Sequence, residues 1–169
     1  ALLYVSEIRS IRADALSLAG GPEGASPALD AFAAECIVFD QARSTAPHTA
    51  PSHMSLFTST WPSVHGVQNV QHGEHPVTGK RKPLIEGAPL ELPTLPELLA
   101  AHGYRTIGLT DGGNLNPPHG FDRGFEHYTF DLSGAVAQVK SGQRWLRELN
   151  AGTQPWFLFL HTYEIHAPY

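Results

Sequence analysis

The sequence predicts an α/β domain built on a mostly parallel β-sheet. Two apolar runs, residues 2–6 and 155–161, are typical of buried parallel strands, and the second is the more convincing. Segments with helical periodicity and recognisable start and stop signals lie between them. Strands that alternate with helices indicate a parallel sheet with helices on its faces. A chain of 169 residues is long enough for one such domain, so we expect a single domain over residues 1–169.

The first part of the chain contains two predicted helices and a predicted return strand. Residues 12–18 favour a helix that ends at the Gly-Gly-Pro of residues 20–22. Ser26 followed by Pro27 is a helix start, and an apolar stripe follows it. Residues 36–40, Cys-Ile-Val-Phe-Asp, are predicted to return as a strand.

The next predicted helix begins around Pro51, because proline is tolerated where the N–H groups have no partner in the helix. Thr49 is expected just before the first turn, near free N–H groups and the positive end of the helix dipole. A hydroxyl there can cap the helix, which is the commoner role. It can also attack an anionic ester that the helix end has gathered.

The remaining elements complete the alternation. Residues 61–92 are rich in Gly, Pro and His and form a long excursion, of a length typical of functional or mobile loops. A helix over 94–102, a strand over 104–109, a loop over 111–118 and a helix over 135–149 follow. Ligand sites in such sheets gather at the carboxyl ends of strands. Here those ends lie near Arg9, Thr49, Asp111 and His161.

Composition excludes some functions. The chain is 41% hydrophobic and 16% charged, as in ordinary globular proteins. Its net charge of −5, from 11 basic and 16 acidic residues, argues against non-specific nucleic-acid binding. No apolar run approaches the ~18 residues of a membrane span, and no signal sequence is recognisable. We therefore expect a soluble chain. The sequence does not assign it to a cellular compartment. The single Cys36 excludes an internal disulfide.

The segment Thr-Ala-Pro-Ser-His-Met-Ser-Leu-Phe-Thr, residues 49–58, resembles the nucleophile motif of the sulfatase / alkaline-phosphatase superfamily. That motif is Cys/Ser/Thr-x-Pro-Ser-Arg/His, followed by a Ser-Leu-x-Thr helix. Other segments extend the resemblance, in the family's order, over nearly the whole chain: residues 11–16, 26–30, 61–67, 93–99, 103–106, 120–125 and 161–169. The resemblance implies a three-layer α/β sandwich. Superfamily enzymes are two or three times longer, so it also implies a truncated sulfatase-like fold.

The resemblance places Thr49 on the nucleophile position. Cysteine at this position is oxidised to formylglycine for sulfate-ester hydrolysis, which threonine cannot undergo, and threonine-bearing relatives cleave or transfer phosphate esters. His53 stands at the motif's Arg/His position and is expected either to contact a bound oxyanion or to bond a carbonyl as an ordinary helix residue. His65 lies in the family's His-Gly-Val turn, as a substrate-binding or a structural residue. His166 is the third predicted catalytic residue.

The expected metal ligands depart from the family's pattern. Relatives have an acid where Arg9 stands, and an arginine cannot ligate a cation. We assign Arg9 to substrate binding. Glu7, two residues back on the same strand face, is expected to pair with Arg9 or to replace the lost ligand. His161 and His166, with Asp111 or Glu7, would then hold a divalent metal, and zinc suits imidazole and carboxylate ligands.

Two functions remain open from the sequence. One is a metal-dependent hydrolase of phosphate-type esters, namely phosphodiesters or phosphotriesters, with a small anionic or phosphoester substrate. The other is an inactive sulfatase-like fragment that binds an anion or a partner protein. A portion of a longer enzyme is a third reading of the chain. A homodimer is expected, with the excursion over residues 61–92, which includes His72 and His75, reaching across it.

Overall fold

A computed structural model describes the backbone of residues 2–8, 13–39, 41–67, 89, 91–130 and 134–163, and side chains from residue 14 onward within those ranges. The chain divides into two compact units. The larger consists of residues 1–7 and 44–162, and the smaller of residues 8–43 and 163–169. Residues 9–12, most of the excursion and residues 164–169 lie outside the described part. Within that part, no helix is both long enough and apolar enough to cross a membrane.

In the described part of the chain, the larger unit contains the sheet and four α-helices. Its strands are β1 (Leu2–Ile8, whose last residue belongs to the smaller unit), β2 (Arg105–Thr110), β3 (His127–Thr129) and β4 (Trp156–Thr162). The smaller unit contains α1 (Pro27–Ala33), and the larger contains α2 (Thr49–Thr58), α3 (Pro62–His65), α4 (Leu95–Ala101) and α5 (Gly134–Ala151).

The sheet has the strand order β1-β4-β2-β3. β2 lies in its interior and pairs in parallel with β4 and with β3. Thr110, the last residue of β2, is opposite His161 on β4. The carboxyl ends of the two central strands therefore meet at one edge, as the sequence predicts.

Each face of this sheet is covered by a different helix layer. Residues alternate between the two faces of a strand, and β4 follows that rule. Trp156 and Leu158 belong to the cluster formed with Trp145 and Leu149 of α5. The other cluster, with α2, consists of these residues: Ala50, Met54, Phe57, Val67, Leu115, Phe121, Phe157 and Phe159. Helix, sheet and helix form three layers, so the predicted fold class is confirmed.

Aromatic packing fixes α2 against the sheet. The ring of Phe57 lies edge-on to that of Phe159, with centroids 5.0 Å apart, and also contacts Phe121 and Phe125. Such pairs contribute about 0.5–1.5 kcal/mol beyond the area they bury. This packing therefore holds α2 in one position against the sheet, with its first residues over the end of β4.

Two predicted elements of the smaller unit are wrong. Residues 13–19 form two short 3₁₀ turns instead of one helix, because Leu16 between them is extended (φ −96°, ψ 133°). The N–H of Ser17 is bound by the hydroxyl of Ser26 rather than by a helical carbonyl. Residues 37–39 form no strand, and Ile37 is 85% exposed. An apolar run becomes a strand only where a neighbouring strand pairs with it, and none does among the described residues.

Candidate active site

Thr49 is the first residue of α2, one position further into the helix than predicted. His48, with extended backbone, is the cap residue, and its side chain makes no capping hydrogen bond. Pro51 is the third helical residue, where it still removes only an N–H without a helical partner. Thr49 is 1% exposed, and its Oγ1 has no hydrogen-bond partner among the described residues. The hydroxyl does not cap the helix, so the commoner of its two predicted roles is wrong.

His53 lies one helical turn after Thr49 and is also buried. Its Nδ1 is 2.7 Å from the backbone oxygen of Thr49. A carbonyl only accepts hydrogen bonds, so Nδ1 carries a proton, and in the neutral ring Nε2 carries the lone pair. The bond to a carbonyl was one of the two alternatives for this residue. It turns the ring's second nitrogen away from the helix backbone.

His161 meets His53 from the sheet. It follows Phe157 and Phe159 on the α2 side of β4, because alternate residues of a strand share a face. The rings of His161 and His53 are nearly perpendicular, with centroids 5.0 Å apart. His161 also stacks on Phe159 at 6.5 Å. The structure thus brings together Thr49, His53 and His161, three of the residues that the sequence singled out.

His65, at the end of α3, has no exposed surface. Its Nδ1 accepts a hydrogen bond of 3.1 Å from the N–H of Val67. Its Nε2 is 2.9 Å from Oγ of Ser55 on α2. Burial lowers the pKa of His65, and a hydrogen bond to the carbonyl of Pro51 opposes that shift without reversing it. The ring therefore joins α3 to α2, and its predicted contact with substrate stays a prediction.

Asp111 follows β2 at the edge of the sheet where β2 and β4 end, but its carboxylate binds the start of α5. Oδ1 accepts a hydrogen bond of 3.1 Å from the N–H of Gly134, the first residue of α5. A carboxylate at a helix start is stabilised by the helix dipole. This contact gives Asp111 a structural role that the sequence did not suggest.

The predicted metal ligands are only partly described. No group of three or more His, Cys, Asp or Glu residues that could hold a metal ion occurs among the described residues. The side chain of Glu7, together with Arg9, His72, His75 and His166, lies outside them. The two described ligands, Asp111 and His161, do not by themselves fit a zinc site, which takes three or four protein ligands.

Sequence reasoning missed Ser55, whose hydroxyl contacts His65. The contact depends on the path of the chain from α2 into α3, where Ser59 (φ 54°) adopts a left-handed conformation. Gly66 (φ 71°), directly after α3, adopts one as well. The helical spacing of Ser55 from Pro51 was visible in the sequence. The turn that returns His65 to that face was not, because serine rarely adopts a left-handed backbone.

The Sulfatase family model matches residues 8–169 of the chain. Comparison with curated protein sequences gives no significant match. Among solved structures, the chain is similar to BT4656 in complex with its substrate D-glucosamine-2-N,6-O-disulfate, with a TM-score of 0.65 and 18% identity over 99% of this chain and 34% of that one. It is also similar to Ps i-CgsB in complex with k-i-k-neocarrahexaose, with a TM-score of 0.52 and 17% identity over 74% and 36% of the two chains. The chain spans about a third of the length of these structures, and identities this low show a shared fold.

Proposed function

The chain belongs to the sulfatase family, and on that premise we propose that it hydrolyses phosphate-type esters with Thr49 as the nucleophile. The observation that carries the proposal is the hydroxyl of Thr49, which is buried at the start of a ten-residue helix with no partner among the described residues. Burying an unpaired hydroxyl destabilises a fold by about 1–3 kcal/mol. A bound ester at this place would remove that cost.

The start of α2 suits an anionic ester for electrostatic reasons. The first N–H groups of a helix have no partners in the helix, and the dipole is positive there. Anions bind at such ends without further charged groups. A small anionic substrate also agrees with BT4656, whose structure holds a disulfated glucosamine.

Threonine favours phosphorus over sulfur as the point of attack. It cannot be converted to the aldehyde that cysteine yields in sulfate-ester hydrolysis, so it must attack as a hydroxyl. In the first step, Oγ1 of Thr49 forms a bond to phosphorus while the bond from phosphorus to the leaving ester oxygen breaks. The proton that Oγ1 gives up is matched by the proton that the leaving alkoxide takes up, so an alcohol departs and a threonyl phosphate ester remains. In the second step, water attacks the phosphorus, one of its protons returns to Oγ1 of Thr49, and the phosphate product leaves with the water oxygen on it.

His53 and His161 supply the polar wall of this site. The Nδ1–H of His53 holds the Thr49 carbonyl, so in the neutral ring Nε2 carries the lone pair, and we assign to Nε2 the exchange of protons with the ester. His161 packs across the ring of His53 and orients it. The predicted role of His166 is to protonate the leaving oxygen, and that of Arg9 is to bind the ester's charge.

A divalent cation is implied by family membership and would polarise the ester's oxygens. The described residues do not form a site for this cation. The steps of the reaction are therefore carried by side chains of the protein. Zinc therefore stays a prediction. We expect about one zinc per chain by elemental analysis, with activity lost on dialysis against a chelator and recovered on adding zinc. Undiminished turnover of metal-free protein would contradict it.

The test of the reaction uses matched nitrophenyl substrates: a phosphate monoester, a phosphate diester and a sulfate. We expect turnover of a phosphate ester and little turnover of the sulfate. Thr49→Val keeps the side chain's shape, removes the hydroxyl and should lower kcat by about 100-fold or more. Thr58→Val, at the other end of α2, is the matched control and should leave kcat near the wild-type value. Faster turnover of the sulfate would refute the reasoning from Thr49.

The alternative function is binding of an anion or a partner protein without turnover. Arg9, at a position where relatives carry a metal-binding acid, favours it. Calorimetry with inorganic phosphate separates the two functions. Binding that depends on Thr49, without turnover of any ester, would support the alternative. The predicted homodimer is tested separately, by light scattering at micromolar concentration.

A further inference from the structure

The inference concerns the way the first turn of α2 is held in place. No side chain caps this helix, and the hydroxyl of Thr49 itself does not close the turn. Two histidines bind α2 instead. His53 bonds the carbonyl of Thr49, and His65 bonds the hydroxyl of Ser55, further along the helix. The nucleophile therefore lies on a helix that histidine side chains hold at two points.

The hydrogen-bond pattern fixes the proton of His65. The N–H of Val67 donates to Nδ1, so Nδ1 holds a lone pair. The single proton of the neutral ring is then on Nε2, which donates to the hydroxyl of Ser55 on α2. A charged ring would place a second proton against the N–H of Val67. Only the neutral ring fits this pattern of donors and acceptors.

We infer that His65 is a positioning residue: its Nε2–H holds the hydroxyl of Ser55 on α2 and so fixes where the hydroxyl of Thr49 points. This inference rests on the proposed function. His65 has no exposed surface, so it acts on a ligand through α2 rather than by contact. Misplacing a reacting group by about 1 Å can lower a rate by about 100-fold.

The test compares two substitutions of nearly the same shape. His65→Gln keeps an N–H donor, whereas His65→Met has similar length and no donor. We expect His65→Met to lower kcat by about 100-fold with little change in KM, and His65→Gln to recover most of that loss. A residue with a purely structural role would lower the folded fraction instead, and donor retention would not separate kcat from KM. His102, on the surface of α4, supplies the controls His102→Gln and His102→Met.

A second measurement does not require activity. The Thr49 methyl group, observed by NMR, should show one rotamer in the wild type and in His65→Gln, and averaged rotamers in His65→Met. An unchanged Thr49 methyl in folded His65→Met, or equal kcat in the two variants, would overturn the inference. A wild type that cleaves no ester while the methyl responds as expected would refute the proposed function and leave the positioning role intact.

Discussion

Thr49 and Gln138 are among the side chains of the larger unit whose buried polar atoms have no hydrogen-bond partner in the described part of the chain, and they differ in what surrounds them. Thr49 begins a helix at the edge of the sheet. Gln138 lies inside α5 with no exposed surface, and neither its oxygen nor its nitrogen is bonded. The first is explained by the proposed site. We have no physical account of the second.

Substitutions of Thr49 and Gln138 should affect the free energy of unfolding and the rate of ester cleavage differently. Thr49→Val replaces an unsatisfied hydroxyl with a methyl of the same size, so it should raise the free energy of unfolding by about 1 kcal/mol while abolishing ester cleavage. Gln138→Met should stabilise the fold by a similar amount and leave activity unchanged. Urea unfolding and kcat measure both effects. A destabilised Thr49→Val would mean that the hydroxyl has a partner in the folded protein.

The pKa of His65 predicts a dependence of stability on pH. Burial lowers this pKa in the folded state, so the unfolded chain takes up a proton first as the pH falls. The contribution of the neutral ring is complete above the unfolded pKa of about 6.5 and is lost as the pH falls below it. His65→Gln should therefore lose less stability than wild type between pH 7 and pH 5. His102→Gln, an exposed control, should follow the wild type, and equal losses in wild type and His65→Gln would contradict the prediction.

At the scale of elements, the start of α4 is predictable from the sequence. The side chain that binds this helix start, that of Arg123, is not. Thr94 accepts from the N–H of Glu97, and the carboxylate of Glu97 accepts from the N–H of Thr94, which is a capping box. Arg123 also binds that carboxylate, at 2.9 Å, and reaches the carbonyl of Leu92. Burial opposes ionisation of Glu97, but these hydrogen bonds, with the charge of Arg123, keep its pKa below the usual value.

Gly124 makes this contact possible. A Cβ at Gly124 would overlap the backbone N of Glu97 and lie 2.6 Å from the carbonyl carbon of Pro96. Its φ of +79° adds a conformational cost for any other residue. The Gly-Phe-Asp-Arg-Gly-Phe segment, which sequence reasoning used only as a family signature, therefore brings Arg123 and a bare backbone against α4.

Gly124→Ala tests this packing against a matched control. Gly103 has nearly the same φ, +80°, but open space around its missing Cβ. Gly103→Ala should cost only the left-handed conformation, about 1–2 kcal/mol. Gly124→Ala adds the overlap with α4 and should cost more than about 4 kcal/mol. Equal losses in denaturant unfolding would show that α4 moves aside without cost.

Sequence reasoning succeeded where one local signal is enough. The strand β4, the helices α4 and α5 and the helix at Thr49 were all predicted, with shifts of one or two residues at their ends. It failed where tertiary contacts determine whether a segment forms a strand. β3 has three residues and exists because it pairs with β2. The exposed run at residues 37–39 has the composition of a strand but no pairing partner among the described residues.

At the scale of the whole molecule, the two units differ in how much of each is buried. Four of the seven residues of β4 are buried apolar residues, and β2 lies in the interior of the sheet. α1, in the smaller unit, has no buried residue, and Phe32 is 62% exposed. What holds α1 is polar: Asp30 accepts hydrogen bonds from the N–H of Leu18 and the hydroxyl of Ser26. Such bonds contribute about 1 kcal/mol each.

This difference predicts unequal protection from hydrogen exchange. A helix of seven residues is marginal without packing, so α1 should open locally, while β2 and β4 exchange only when the larger unit unfolds. We expect amides of residues 28–33 to exchange at least about 100-fold faster than those of β2 and β4, with little dependence on urea. Asp30→Ala should accelerate exchange in α1 alone, and Phe57→Leu in β2 and β4 alone. If the amides of α1 were as protected as those of β4, its apolar side chains would have to be covered in solution, and the stability of the smaller unit would then come from packing rather than from Asp30.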